Sequence, residues 1–391
     1  MTTDSGHPPS PSASSRQSGR SLLGQLDMEL TERCSNNCAH CYINLPAADA
    51  AAKARELSTA EIQSILKEAA SLGCLLVRFT GGEPMLRQDF EEVYLFARRQ
   101  GMRVKIFTNA TLITPKMAEL LDRIRPLSKL EIGVYGMRRE SYEGVSRTPG
   151  SFDAAWRGIS LLLEKQIPFM VKGALLPSNK TEVAEFQAWA DTIPWQRKKT
   201  VSLATFFLLR GRRDSETANQ RIAGLRLSPE EGLSMLTRRP DDYLRDMRQF
   251  SGKYMGPPGD KVFACGAGNG SGCVDAYGRL QPCILLRHPD VTYDLRSGSL
   301  QDALTRFFPQ VQDTRATNPD YLARCARCFL KGMCEQCPAR SWSEHGTLDT
   351  PVEYLCEVAH AQARYLGWLA DGERAWEVND WNERIKAFSK S

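Results

Sequence analysis

The stretch CSNNCAHCY, residues 34–42, places Cys34, Cys38 and Cys41 within eight residues. It follows QLDMEL (25–30), whose alternating apolar and polar residues read as a strand. A structural zinc site takes four ligands and a disulfide joins two cysteines. Three thiolates at fixed short spacing can instead hold a metal or cluster with one coordination position left for another molecule. His40 is the other metal-ligating type in the loop, but it adjoins Cys41, which makes shared ligation awkward.

Outward from this loop, short apolar runs alternate with helical stretches. The further strands are expected at LLVRFT (75–80), RVKIFT (103–108), KLEIGV (129–134), PFMVKGAL (168–175) and TVSLATFFL (200–208). Helices are expected from Ser58, where Glu61 completes a capping box, from Thr114 with Pro115 at the first helical position, and from about Ser151. This alternation predicts parallel βα units, six of them before about residue 245. The fold class is therefore α/β, a partial (β/α)6 TIM-type barrel, open at one side for a large substrate. Chemistry in such barrels sits at the C-terminal strand ends. The cysteine loop, TGGEP (80–84), TNAT (108–111) and YGMR (135–138) each follow a strand and share that mouth.

From about residue 250 the chain turns rich in Gly and Pro, and cysteines return at 265, 273, 283, 325, 328, 334, 337 and 356. This predicts a smaller second domain, organised by metal rather than by a large apolar core. Cys74, between a helix end and the second strand, is expected in the barrel core. The expected divisions are a disordered Ser/Pro-rich tail at 1–20, the barrel at 21–245, a linker at 246–262, the cysteine-rich domain at 263–360 and a C-terminal helical segment at 361–391.

C-x3-C-x2-C after the first strand followed by GGEP after the second resembles the radical S-adenosylmethionine (SAM) superfamily, over about residues 22–365. The resemblance implies that Cys34, Cys38 and Cys41 hold three irons of a [4Fe–4S] cluster whose fourth iron binds SAM. A reduced cluster then cleaves SAM to a 5′-deoxyadenosyl radical, which abstracts hydrogen from the substrate. The same resemblance assigns Gly81, Gly82, Glu83 and Pro84 to the methionyl amino group, with Glu83 as the nearby anion. It makes Tyr42, Thr108, Asn109, Glu131, Tyr135, Lys172 and Arg210 candidates for further SAM contacts. His40 stands where the family has an aromatic residue and is expected to pack over the cluster.

The second cysteine set is similar to the SPASM extension, which carries two auxiliary [4Fe–4S] clusters. By that likeness Cys265, Cys273, Cys283 and Cys337 ligate one cluster, with Cys273 the least secure. Cys325, Cys328, Cys334 and Cys356 ligate the other. Two structural zinc sites are the alternative. Sulfatase-maturing relatives have Asp directly after the third cysteine of the first segment. Here Ile284 follows Cys283, which argues against that activity. Asp275, Tyr277 and His288 are the acid–base candidates nearby.

Composition restricts the rest. The chain of 391 residues is 42% hydrophobic and 25% charged with a net charge of +5, ordinary for a soluble protein. RKK (197–199) and RGRR (210–213) read as solvated charge rather than a nucleic-acid surface. No apolar run is long enough for a membrane span and the first twenty residues carry no signal-peptide core. A cytoplasmic location follows, where cysteines bind metal rather than pair. The implied activity is modification of a ribosomally made peptide by crosslinking, oxidation, epimerisation or decarboxylation. The alternative is a small molecule, a tetrapyrrole or sugar-type alcohol; a non-catalytic redox sensor is a third reading. The partners implied are a precursor peptide or small-molecule substrate and a flavodoxin- or ferredoxin-type reductant. A short tail leaves leader recognition to a separate binding protein, to the SPASM surface, or to neither.

Overall fold

A computed structural model describes residues 22–196, 201–334 and 337–390. The expected tail at 1–20 and the RKK run at 197–199 lie outside the described residues. The chain forms two compact units. One holds the described residues up to Leu225 together with Ala267–Pro309, and the other holds Arg226–Gly266 with Gln310 onward. These units divide the chain elsewhere than at 245 and 263.

In the first unit, six strands run parallel: β1 Gln25–Thr31, β2 Leu76–Gly81, β3 Arg103–Thr108, β4 Leu130–Gly133, β5 Phe169–Ala174 and β6 Leu203–Ala204. Between them lie helices that include α1 Thr59–Ser71, α2 Pro115–Arg123, α3 Arg139–Ser146 and α4 Ser151–Glu164. Ser58 and Glu61 close the expected capping box on α1, and Thr114 with Pro115 starts α2. Leu26, Met28, Val77, Phe79, Val104, Ile106, Ile132 and Val171 face the helices and are wholly buried. Cys74 joins this core.

The alternate residues face inward and are polar. Arg78 pairs with Asp27, and Glu131 bridges Lys105 at 2.7 Å and Lys172. The Phe107 ring lies under Arg78 at 4.7 Å and under Lys172 at 5.3 Å. This inner face explains why the strands alternate rather than read as unbroken apolar runs.

Two features depart from the sequence reading. The sixth strand was expected over 200–208, yet β6 has two residues. It is the sheet edge, bonded on one side only, and Phe207 beyond it packs with Val145, Leu176 and Ile222 instead of continuing the ladder. At the opposite edge, three unforeseen strands extend the sheet: β7 Ser271–Val274, β8 Arg279–Gln281 and β9 Tyr293–Asp294. β7 pairs parallel with β1, Asp27 opposite Cys273.

The second unit has a small apolar core of its own. Tyr243 and Met247 of helix α5 (Pro240–Tyr254), Phe329, Leu330 and Met333, Ala359 and Ala363 of α6 (Glu353–Tyr365), Trp368 and Ile385 of α7 (Trp381–Lys390) form one. The Gly- and Pro-rich stretch hid it, because its apolar residues come from segments far apart in the chain.

Candidate active site

The cysteine loop is held from several sides. Arg33–Cys34 forms a short parallel pairing with Leu45–Pro46. Asn37 and Ala39 donate backbone N–H groups to the last carbonyls of α3, Ser146 at 2.9 Å and Val145 at 2.8 Å. Gly211 N–H donates to the Tyr42 carbonyl at 3.0 Å. From the end of β3, the Asn109 amide reaches Cys34 Sγ at 3.6 Å and Ser35 Oγ at 3.0 Å, and Thr111 Oγ1 lies 2.9 Å from Ser35 Oγ.

The GGEP turn lies under this loop. Gly82 N–H donates to Thr31 O at 2.7 Å and Glu83 N–H to Arg33 O at 3.0 Å. A Cβ on Gly81 would stand 2.1 Å from Thr31 O, and one on Gly82 would stand 2.2 Å from Arg33 O. Gly81 also has φ of +119°, a conformation open to glycine. The close approach that requires these glycines is therefore to the chain's own backbone leading into Cys34.

Glu83 is wholly buried, and its carboxylate is occupied. It accepts from Thr108 Oγ1 and Asn109 N at 2.9 Å and from Met85 N at 3.1 Å, capping the turn Pro84–Leu86. Burial pushes its carboxyl up to about 7 against the pull of those donors. Thr108 and Asn109 thus connect Glu83 to the cysteine loop.

The three thiols share one environment. Burial pushes Cys34 up to about 12, with Glu83 adding and the Asn36 N–H and Asn109 amide opposing. Burial also raises Cys38, with Cys41 and Cys34 beside it, while the Tyr135 hydroxyl opposes. Burial raises Cys41 too, and Arg210 and Arg287 counter it. His40 packs against the rings of Tyr135 and Phe207, both centroids 5.2 Å away.

These features fit a cluster held by three cysteines. Crowded buried thiols resist losing their protons, and bound iron supplies the missing positive charge. Asn36, in the same loop, is buried with neither amide atom partnered. No three His, Cys, Asp or Glu side chains among the described residues converge as ligands of a single ion. A cubane spreads its ligands over separate irons, so burial and mutual influence are the relevant test.

Other candidates occupy structural positions. Lys172 and Glu131 pair with each other. Arg210 holds Asp214 and the Asn44 carbonyl. Tyr42 is raised by burial and Glu29. Asp275 accepts from the N–H groups of Tyr277 and Arg279, both at 2.9 Å, and Tyr277 donates to Glu32 at 2.9 Å. His288 accepts from Asp290 N at 3.1 Å. The sequence reading missed Glu29, Glu32, Arg212 and Arg287. Arg287 pairs with both glutamates and Arg212 joins Glu32 to Asp275. The one signal for Glu29 was charge at alternating positions of the first strand, and Arg212 lies in the RGRR run that read as solvated charge.

In the second unit, Cys325, Cys328, Cys334 and Cys356 line a single cavity with Arg324, His360 and Trp376. Burial pushes Cys325 up to about 11 and Cys328 up to about 12, and Cys356 adds to both. Cys265 influences Cys337 in the same unit. Cys273 and Cys283 belong to the first unit, where Cys273 is fully buried on β7 among Glu29, Asp27, Arg287 and Arg78.

Residues 28–190 match the family model described as the radical SAM superfamily. Residues 28–190 are thus a radical SAM domain, and the chain is an enzyme. Membership implies one [4Fe–4S] cluster and SAM, for which the loop of Cys34, Cys38 and Cys41 has the spacing. The chain is 26% identical to the AdoMet-dependent heme synthase of Methanosarcina barkeri over 336 residues, 81% of this chain and 92% of that one. It is 30% identical to the PqqA peptide cyclase of Gluconobacter oxydans over 162 residues, covering 41% of this chain and 44% of the cyclase. Among solved structures, anSMEcpe with bound AdoMet aligns with a TM-score of 0.62 at 13% identity, covering 94% of this chain and 96% of that one. That likeness is one of fold. No described helix is long and apolar enough to cross a membrane.

Proposed function

We propose that this enzyme cleaves SAM reductively and removes a hydrogen atom from a side chain of a ribosomally made peptide. The observation that carries the SAM chemistry is the convergence of the Asn109 amide on Cys34, above a buried Glu83. Cys34, Cys38 and Cys41 would hold the cluster. When bound and reduced, it supplies the electron that splits SAM into methionine and a 5′-deoxyadenosyl radical. Backbone groups of Gly81 and Gly82 take the amino group, while Thr108 and Asn109 fix the loop. Lys172 and Glu131 offer a cation and an anion at the strand ends. His40 and Tyr135 exclude water above the thiols, which protects a radical from quenching.

Cys325, Cys328, Cys334 and Cys356 would hold an auxiliary cluster, supported by their shared cavity. Cys265, Cys273, Cys283 and Cys337 remain the sequence-based choice for the other. Clusters held by these cysteines would supply an acceptor for the electron released when the substrate radical is oxidised. A cytoplasmic flavodoxin or ferredoxin supplies the first electron.

The peptide substrate is supported by the similarity to PqqA peptide cyclase, which spans 41% of this chain. A second reading, side-chain chemistry on a tetrapyrrole, is favoured by the match to heme synthase over 92% of that protein's length.

Anaerobically reconstituted enzyme with SAM and dithionite should release 5′-deoxyadenosine; none released refutes the radical chemistry. Deuterated precursor peptide encoded beside the gene should transfer deuterium to 5′-deoxyadenosine. Transfer from a propionate-bearing iron porphyrin instead would replace the peptide reading with the second.

A further inference from the structure

Cys356 differs from its three neighbours. It lies in the first turn of α6, and two cationic or N–H-bearing side chains reach its sulfur. Arg324 Nη2 lies 3.7 Å from Cys356 Sγ, and His360 Nδ1 lies 3.6 Å from it. His360 is one helical turn beyond Cys356, so helix periodicity brings it to the same face.

Both donors are held firmly. His360 Nε2 accepts the Ala375 N–H at 3.2 Å, so the ring proton resides on Nδ1, which donates to Cys356 O at 2.7 Å and leans on the sulfur. The Arg324 guanidinium is clamped by Glu353 Oε1 and Oε2 at 2.7 and 2.9 Å and stacks over Trp376 at 4.9 Å. Its Nε–H is buried without a partner. Trp376 also meets the His360 ring edge-on, at 5.4 Å. Glu353, Trp376 and the Ala375 N–H thus fix two donors against one sulfur.

We propose that Arg324 and His360 are positioning residues that set the reduction potential of the cluster bound by Cys325, Cys328, Cys334 and Cys356. The proposal rests on the auxiliary-cluster reading above. An N–H donated to a ligand sulfur, and a positive charge beside it, stabilise the more negative reduced cluster and so raise its potential. Glu353 opposes this, because its carboxylate offsets the Arg324 charge. Arg324 and Glu353 therefore act in opposite directions on one centre, and Cys356 is the ligand through which they act.

The test is a redox titration of the full-length, anaerobically reconstituted enzyme followed by EPR. Arg324→Gln should lower the midpoint of one auxiliary signal and leave the SAM-responsive signal in place. Glu353→Gln, at an exposed carboxylate, should move the same signal upward. Arg324→Lys should restore part of the loss. A merely structural role would change iron content or melting temperature and leave the midpoints alone. Should Arg324→Gln lose the cluster, the upward shift in Glu353→Gln still supports the proposal, and an unmoved midpoint there overturns it. Unmoved midpoints in both variants at full iron content also overturn it. Cys328→Ala separates the underlying reading: if it retains every iron and every signal, no auxiliary cluster occupies this cavity.

Discussion

Arg287 grips both carboxylate oxygens of Glu29, its Nη2 lying 2.6 and 2.7 Å from them, while Nη1 reaches Glu32 at 3.0 Å. All three side chains are buried. Arg287 sits four residues after Cys283, whereas Glu29 and Glu32 flank the end of the strand that leads into Cys34. The pair thus ties the segment after β8 to the root of the cysteine loop. Burial pushes Glu29 up to about 7 although Arg287 pulls it down.

Breaking this pair from one side should be costly. Arg287→Met leaves the buried Glu29 carboxylate without its cation and Glu32 with Arg212 alone, a loss of about 3–5 kcal/mol. The double variant Glu29→Gln/Arg287→Met should be less destabilised than the single one. Urea unfolding of the anaerobic protein gives both values, and a double variant no better than the single would show the pair to be incidental.

The glycines of GGEP make a steric prediction. Gly82→Ala drives a Cβ into the Arg33 carbonyl and the Glu32 carbonyl, both backbone. The strand pairing that supports Cys34 must shift, at a cost of about 3 kcal/mol. Iron content and SAM-dependent changes in the EPR spectrum should both fall. Gly101→Ala is the control, since nothing lies within 4 Å of its Cβ position, although its φ of +81° carries some strain.

Glu83 predicts a pH dependence. Its folded carboxyl titrates at about 7 against an ordinary 4.5. Between those values the folded state keeps a proton that the unfolded state has released, so this contribution is present below 4.5 and is lost as pH rises through 7. Glu83→Gln removes that dependence. The melting temperature of the variant relative to wild type should therefore climb between pH 5 and pH 8. A flat difference would mean the carboxyl titrates normally.

The cysteines should separate by role. Cys34→Ala, Cys38→Ala or Cys41→Ala should each remove about four irons per chain and abolish 5′-deoxyadenosine formation. Cys74→Ala, in the barrel core, should keep both and lose only stability. Persistent SAM cleavage in a triplet variant would show that other ligands hold the cluster.

Much of this was legible in the sequence because it depends on local chemistry. The capping box of Ser58 and Glu61, Pro115 at a helix start and five strands with alternating patterns all appear where short-range rules place them. The sixth strand was overread because TVSLATFFL has strand composition, whereas edge position and the Phe207 contacts end the ladder after two residues. The extension by β7, β8 and β9 was missed because those strands are short and the one that joins them to the sheet, β7, pairs with β1 about 250 residues away in the chain.

By itself the sequence determined the cysteine triplet, the GGEP turn and the repeated βα units, because each is a pattern of neighbours within one turn or one strand. Only the tertiary structure decided that Glu83 faces Thr108 and Asn109, that Arg287 closes on Glu29, and that Arg324 and His360 reach one sulfur among four. Apart from the helical step from Cys356 to His360, those partners lie between 25 and 258 residues apart, and what brings them together is packing of distant elements and burial of charge, for which no local spacing rule exists.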